Sequence, residues 1–147
     1  MNLLTPVAKI MSKQLHTVSP DDSLEKVKSL FDEHNIHHVP VVRYKEIVGI
    51  ISSTDFNAFL HGFAQDDMDK LTEESRLRAC KAEEIMTTGL AKVESTDTLS
   101  TVLGVFLENR FRALPVVEGS EIIGIVTTFD IIRFASEEPI RLEDYKK

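Results

Sequence analysis

The sequence has no tryptophan, two tyrosines and a single cysteine. Cys80 has no second cysteine to pair with, which excludes an internal disulfide and a clustered-cysteine metal site, and we expect a small buried or partly exposed thiol. Nucleic acids are bound by clustered lysine and arginine, and RNA and single strands also by stacking aromatic side chains. This chain has 17 basic residues against 24 acidic ones. We therefore expect no nucleic-acid partner.

Long apolar runs are also absent from the sequence. No stretch approaches the ~18 residues of a membrane span, and the opening residues 1–6 do not resemble a signal peptide. We therefore expect a cytoplasmic protein that does not associate with membranes. Apolar residues form 42% and charged residues 28% of the 147 residues, which suits an ordinary globular core with a charged surface. The net charge of −7 is spread along the chain rather than concentrated.

The most informative feature that is present is an internal repeat. Residues 10–60 align with residues 85–135 at a constant offset of 75 positions and without a gap. A unit of about 50 residues buries too little surface to be stable alone, so we expect the copies to share a core across a pseudo-twofold axis. The crevice between the copies is therefore the first candidate for a functional site.

Each copy is predicted to fold as β-α-β-β-α. In the first copy Ser23 is the expected N-cap of a helix, because apolar residues recur after it at helical spacing. Thr98 occupies the same position in the second copy. Pairs of short β-branched runs, around residues 38–51 and 114–126, predict a hairpin in each copy, and Pro40 should lie at a strand start or an unpaired edge. Short strands are expected at Thr17-Val18 and Lys92-Val93.

The predicted domain organisation has four parts. The first unit covers residues 5–62, a connector helix residues 63–82, the second unit residues 83–136 and a charged tail residues 137–147. The connector is polar and helix-prone between Asp66 and Lys81, so we expect it to be mostly solvated or to pack on a partner chain. The tail has little to bury and is expected to be partly disordered.

One short string is repeated where chemistry could occur. Residues 49–55 read Gly-Ile-Ile-Ser-Ser-Thr-Asp and residues 124–130 read Gly-Ile-Val-Thr-Thr-Phe-Asp. In one interpretation the hydroxyl residue caps a helix and the carboxylate closes a capping box. In the other, the strand-to-helix turn attracts phosphate and the carboxylate accepts hydrogen bonds from a ribose diol. Both can hold at once.

These features resemble a tandem pair of cystathionine-β-synthase (CBS) domains, or Bateman module. The resemblance covers about residues 5–136 and includes both strings described above. It also rests on Ile10-Met11 and Ile85-Met86 at the start of each unit, and on Val39-Pro40-Val41-Val42 and Leu114-Pro115-Val116-Val117 in the hairpins. It implies an α/β fold of the α+β kind, with two pseudo-symmetric units packed through their sheets. Such pairs commonly associate with a second chain into a flat disc, here a homodimer.

The resemblance also implies a ligand, although it implies no required cofactor. Family members often bind AMP, ADP, ATP or S-adenosylmethionine between the two domains. The matching phosphate and ribose contacts would be Ser52 and Asp55 in one cleft and Thr127 and Asp130 in another. Adenine contacts would come from six apolar residues, for which an ordinary place in the core is the alternative: Ile10, Met11, Ile50, Ile85, Met86 and Ile125.

Basic residues before each hairpin proline are further candidates. The family pattern places a phosphate-facing basic residue at His37 in Ile36-His37-His38-Val39-Pro40 and at Arg112 in the second copy. Arg112 suits phosphate better, because it is always charged whereas histidine titrates near pH 6.5. The alternative for both residues is a solvated surface cation.

A metal site is not predicted from the histidines. His34 and His38 have helical spacing, but Pro40 and the β-branched residues place His38 in a strand, and the local sequence offers no third ligand.

Three function classes follow. The first is a sensor or regulatory subunit that reads an adenosyl ligand and acts on a separate effector protein. The second is a dimeric adaptor of the same fold without a ligand. The third is an enzyme, which is not expected because no nucleophile elbow, Walker loop or zinc-protease helix occurs and Asp55 and Asp130 should lie in separate clefts.

Overall fold

The computed structural model describes residues 1–62, 69–109 and 111–139, without the side chains of residues 69–71. Its helices are α1 (Leu24–Glu33), α2 (Ser53–His61), α3 (Asp69–Ala79), α4 (Ala82–Ile85), α5 (Leu99–Asn109) and α6 (Thr128–Glu137). Its strands are β1 (His38–Arg43), β2 (Glu46–Ser52), β3 (Val93–Glu94), β4 (Ala113–Glu118) and β5 (Glu121–Thr127). A single 3-10 turn covers Val7–Lys9. The predicted α+β class is confirmed, and so are both hairpins.

The predicted short strands form unequally. Val93–Glu94 becomes β3 and pairs in parallel with β4, whereas Val18 makes only an isolated parallel bridge to Val41. The predicted strand at Thr17-Val18 is therefore reduced to one bridge. Ser23 and Thr98 both accept a hydrogen bond from the backbone three residues later, at 3.4 Å, as expected of N-caps.

One sheet runs through both repeats in the order β1-β2-β5-β4-β3. The hairpins β1-β2 and β4-β5 meet edge to edge, with Glu46 opposite Glu121 in an antiparallel pair. The sheet therefore crosses the boundary between the repeats at this one residue pair.

The boundary is closed by an apolar seam. The seam consists of Ile47, Val117 and Ile122, which are buried, with Leu15, Val42 and Leu90 packed against them. These six residues are three pairs related by the offset of 75 positions: Leu15 with Leu90, Val42 with Val117 and Ile47 with Ile122. The predicted pseudo-twofold relation thus runs through the seam.

The two main cores exchange their opening segments. Val7 and Ile10, at the start of the first repeat, lie in the core of the second repeat. Ala82 lies in the core of the first repeat, with Ile85 and Met86 packed against it. Backbone hydrogen bonds also link each opening segment to the other repeat. The Val7 N–H donates to the Asp97 carbonyl at 2.8 Å, and the Ala82 N–H donates to the Asp22 carbonyl at 2.8 Å. Each core is therefore completed by residues of the other sequence repeat.

The described part of the connector is not wholly solvated. α3 packs on α1, and Leu77 is buried in the core of the first repeat, while Arg78 pairs with Glu25 at 3.6 Å. Cys80 is partly exposed and is a free thiol. The predictions for Asp66 to Met68 and for the tail beyond Pro139 fall outside the described residues. Among the described helices, none combines the length and the apolar character that crossing a bilayer requires.

Candidate functional site: the cleft between the repeats

An open cleft of about 1070 Å³ lies between the repeats. Its walls include the ends of β2 and β5, the first turns of α2 and α6, and the segments that precede β1 and β4. The volume is at the upper end of the ~300–1,000 Å³ typical of small-molecule sites.

Eight of the twelve predicted site residues line this cleft. They are His37, Ile50, Ser52, Asp55, Arg112, Ile125, Thr127 and Asp130. Asp55 and Asp130 therefore border the same open cleft, and the expectation that they lie in separate clefts is wrong. The offset repeat places the two strings at matching strand ends that face a common space.

The other four predicted residues do not line the cleft. Ile10 and Met11 belong to the core of the second repeat, and Ile85 and Met86 to the core of the first. A Cβ atom at Gly49 would collide with the Met86 side chain, and one at Gly124 would collide with Met11. The Ile-Met pairs thus pack behind the strands that carry the strings, and the glycines leave room for them.

The first half-site consists of Ser52, Asp55 and His37. The Ser52 Oγ accepts a hydrogen bond from the Asp55 N–H at 3.0 Å, and the Ser53 N–H donates to the His37 carbonyl at 2.8 Å. Asp55 is exposed. Within the described residues, no hydrogen bond or ion pair engages the Asp55 carboxylate. An N-cap forms here without the reciprocal half of a capping box.

The second half-site consists of Thr127, Asp130 and Arg112, and it differs. The Asp130 Oδ2 accepts hydrogen bonds from the Thr127 N–H and the Thr127 Oγ1, both at 2.8 Å. The Thr127 Oγ1 accepts in turn from the Asp130 N–H at 3.1 Å, which completes a capping box. Arg133 Nη2 donates to the Asp130 Oδ1 at 2.8 Å, and Asp130 is only 7% exposed. The capping-box interpretation therefore holds for the second string.

The cleft contains histidines on the side of the first half-site. His16, His37 and His38 line it, and the ring of His16 stacks on that of His34 at 3.7 Å between centroids. Burial lowers the pKa of His38, the positive charges of His37 and Arg112 lower it further, and the Asp55 carboxylate raises it. Arg112 and Asp55, from different repeats, therefore both act on His38. No three His, Cys, Asp or Glu side chains in the described parts of the chain are grouped to hold a metal ion.

Sequence reasoning did not propose His16, His38 or Arg133 as site residues. His38 adjoins the predicted basic position, and Arg133 follows Asp130 by three residues, so a search for cations one turn from each acid would have found Arg133. Nothing in the sequence marks His16, because its place in the cleft depends on tertiary packing.

Backbone groups at the floor of the cleft are already paired. The N–H and C=O of Ile50 bond to Thr87, and those of Ile125 bond to Ser12, at 2.9 to 3.1 Å. Pro40 and Pro115 lie opposite these isoleucines in the hairpins. Because the isoleucine backbone groups bond elsewhere, the N–H that each proline lacks removes no hydrogen bond from its hairpin. A ligand would therefore meet isoleucine side chains here rather than open strand edges.

The fold and the cleft define a module of two related units with a small-molecule site between them. The family model described as "CBS domain" matches residues 7–62 and 82–137. The chain therefore belongs to the CBS domain family, as the sequence predicted.

Relatives and solved structures agree with this assignment. "CBS domain-containing protein YhcV" of Bacillus subtilis is 24% identical over 87% of this chain and 84% of its own length. The chain spans only 32% to 49% of four relatives from Methanocaldococcus jannaschii.

Two similar structures were solved with ligands. The structure of CBSX2 "in complex with AMP" matches with a TM-score of 0.72 and 27% identity, over 90% of this chain and 96% of that one. The CBS domain pair of protein MJ0100, in complex with methylthioadenosine and S-adenosyl-L-methionine, matches with a TM-score of 0.71 and 27% identity, over 92% and 99% of the two chains.

Proposed function

We propose that this chain is a cytoplasmic regulatory module that binds an adenosyl ligand in its inter-repeat cleft and transmits occupancy to an effector protein. The candidate ligands are AMP, ADP, ATP and S-adenosylmethionine. The observation that carries the proposal is the first half-site, where a hydroxyl group and an exposed carboxylate lie together at a strand-to-helix turn of a nucleotide-sized cleft. Such a turn suits phosphate, and the carboxylate suits a ribose diol.

The solved relatives support the ligand class. CBSX2 holds AMP, and the MJ0100 pair holds methylthioadenosine and S-adenosylmethionine. Both are 27% identical to this chain over nearly its whole length. The isoleucines that line the cleft would contact the base, while Arg112 would supply positive charge and His37 a ring nitrogen.

Transmission requires a ligand that prefers one arrangement of the repeats. A ligand shifts an equilibrium only by its difference in affinity between two states, typically about 1–3 kcal/mol of coupling. A molecule that bridges the half-sites would add contacts between the two repeats, which already meet through the seam, the β2-β5 pair and the exchanged opening segments. The relative position of the repeats is therefore the quantity that occupancy would change.

A homodimer is part of the proposal. α6 exposes Phe129 and Ile132 at 66% and 64%, three residues apart on one helix face. The matching residues on α2 are Thr54 and Asn57, so the apolar face occurs on the second repeat only. A twofold axis that pairs α6 with α6 would cover this face in both chains.

A thermal shift series tests the proposal. With each of the four ligands at about 100 times its dissociation constant, binding adds about 2.7 kcal/mol, which raises Tm by about 5–10 °C for a chain of this size. The matched variants are Ser52→Ala, which should reduce the shift, and Lys45→Ala on the exposed β1-β2 turn, which should not. If no adenosyl ligand raises Tm, the chain is better described as a dimeric adaptor without a ligand.

A further inference from the structure

We propose that an exposed face of α5 is a docking site for an amphipathic helix of a partner protein, in the place that α3 occupies on α1. This α5 face consists of Leu103, Gly104 and Leu107, with Leu4 near one end. The proposal goes beyond ligand binding, and it rests on the proposed function only in taking the partner to be the effector protein.

The first repeat shows how a helix lies on this surface. α3 packs on α1, with Leu77 buried in the core of the first repeat, and Arg78 pairs with Glu25 at 3.6 Å. The carboxylate of Glu73 acts electrostatically on Lys28, one turn further along α1. Because the end of α3 lies at the start of α1, the two helices run in opposite directions and opposite charges face each other.

The second repeat has the same arrangement up to the end of α3. The Leu24 N–H donates to the Cys80 carbonyl at 3.0 Å, and the matching Leu99 N–H donates to the Thr5 carbonyl at 2.9 Å. Residues 2–4 thus correspond to residues 77–79. Residues 69–76 of α3, roughly two turns or about 12 Å of helix, have no counterpart among the described residues. In that part of the chain no helix packs on α5 to the extent that α3 packs on α1.

The α5 face is apolar where the matching face of α1 is charged. Lys28 and Asp32 form an ion pair at 2.6 Å, and Leu103 and Leu107 replace them at the same i, i+4 spacing. Leu107 is 81% exposed, and a Cβ atom at Gly104 would meet nothing within 4 Å. The position that α3 covers on α1 is therefore, on α5, a pair of leucines beside open space.

The charge pattern specifies the chemistry of the partner helix. The two charged positions of α1 that face charges of α3 are occupied on α5 by Ser100 and Leu103. The Ser100 N–H donates to the Leu3 carbonyl at 3.0 Å, and the next residue, Leu4, is 75% exposed. A helix charged like α3 would lose hydration here without gaining an opposite charge. The fitting occupant is an amphipathic helix whose contact stripe is apolar and carries no charge.

The chain connects this face to the cleft. α5 ends at Asn109, and Phe111 and Arg112, which follow it, line the cleft. A helix docked on α5 would therefore contact the element that leads into the ligand site, which suits an effector that responds to occupancy. The proposed homodimer contact lies on a different helix, α6, so the two associations can be tested separately.

Helical peptides are the probe for the α5 face. A displayed library of peptides of about 16 residues, with one helix face randomised, is selected on the wild-type chain. We expect enrichment of peptides that carry leucine, isoleucine, methionine or phenylalanine at i, i+3 or i+4 spacing and no charge on that face. Selection of peptides with a charged face, or no enrichment at all, would overturn the proposal.

Matched variants locate the binding of a selected peptide, which is measured by fluorescence anisotropy. Leu107→Asp should weaken the affinity by about tenfold or more. Leu103→Lys combined with Leu107→Asp copies the ion pair of α1 and should abolish binding. Thr101→Asp adds the same charge on another face of α5 and should leave the affinity unchanged. Equal affinity for the wild-type chain and Leu107→Asp would show that the peptide binds elsewhere and overturn the proposal.

Two other occupants of the α5 face are outcomes of the same series. Dissociation of a wild-type dimer by Leu107→Asp, measured by light scattering, would assign the face to a second copy of the chain. Peptide binding that is about tenfold tighter in a chain shortened to residues 1–139 would assign it to residues 140–147. Either result overturns the partner helix.

The outcomes also separate this inference from the proposed function. A chain whose Tm rises with an adenosyl ligand but which binds no helical peptide overturns the inference alone. A chain that binds the peptide through Leu107 but responds to no adenosyl ligand retains the docking face and overturns the proposed function.

Discussion

At the scale of single residues, matching sequence positions have different chemical environments. Asp55 and Asp130 close identical Gly-x-x-Ser/Thr-x-x-Asp strings, yet one carboxylate is exposed and the other is held by three hydrogen bonds. The difference arises partly from Arg133, whose counterpart in the first repeat is Ala58. A residue three positions beyond the string thus bears on whether its acid faces a ligand or the helix.

Asp130→Ala should lower the free energy of unfolding by about 1–3 kcal/mol, because it removes a capping box and leaves Thr127 without its acceptor. Urea unfolding of this variant beside Asp55→Ala measures the difference. The Asp55 variant should change stability little, since that carboxylate is exposed. Equal losses in the two variants would contradict the inequality of the half-sites.

His38 should make the stability of the fold depend on pH. Its pKa is lowered from 6.5 in the folded chain, first by burial and then by His37 and Arg112, against the opposing effect of Asp55. The unfolded chain therefore binds this proton at a higher pH, so stability falls as pH drops below about 6.5 and is regained above it.

Unfolding free energies measured between pH 5 and pH 7.5 test this dependence. His38→Gln should flatten the slope relative to the wild-type chain, and His61→Gln, at the exposed end of α2, should leave it unchanged. A wild-type slope that survives in His38→Gln would assign the effect to other groups.

At the scale of elements, the strands are positioned by what lies behind them. β2 and β5 carry the strings, and each has a glycine at the point where a methionine from the other repeat's opening segment packs. Sequence analysis found the Ile-Met pairs and left two interpretations open, adenine contacts and an ordinary place in the core. Their place behind the strands, in exchanged cores, could not be read from periodicity, because it depends on which segment crosses to which repeat.

Gly49→Ala should destabilise the fold by about 1–3 kcal/mol, since the new Cβ would overlap the Met86 side chain in a packed core. Gly104 in α5 is the matched control, because a Cβ there meets nothing within 4 Å. Gly104→Ala should stabilise the helix by about 0.5–1 kcal/mol. Thermal unfolding of both variants gives the two signs, and a stabilising Gly49→Ala would contradict the packing described here.

At the scale of the whole molecule, the repeats are held together by the six apolar side chains of the seam, by one shared sheet and by the exchanged opening segments. The seam pairs identical or similar residues across the pseudo-twofold axis, so both halves can contribute equally to one core. The outer surface is less symmetric, since Phe129 and Ile132 are exposed where the first repeat has polar residues.

Ile132→Glu should convert the proposed homodimer into a monomer, because a charge would be buried at the α6 interface. Asn57→Glu makes the matching change on α2 and should leave the oligomeric state unaltered. Light scattering on size-exclusion chromatography distinguishes the species. Dissociation by Asn57→Glu instead would place the interface on the first repeat.

The sequence by itself determined the repeat, the hairpins, the capping residues and the family, because these depend on local periodicity and on short strings that recur at a fixed offset. The family resemblance that the sequence carries also named eight residues that line the cleft. Only the tertiary structure decided that the opening segments are exchanged, that both strings border one cleft, and that Asp130 is held while Asp55 is exposed. These facts depend on contacts between residues far apart in the chain, and two copies of one string can acquire different neighbours when their surroundings differ.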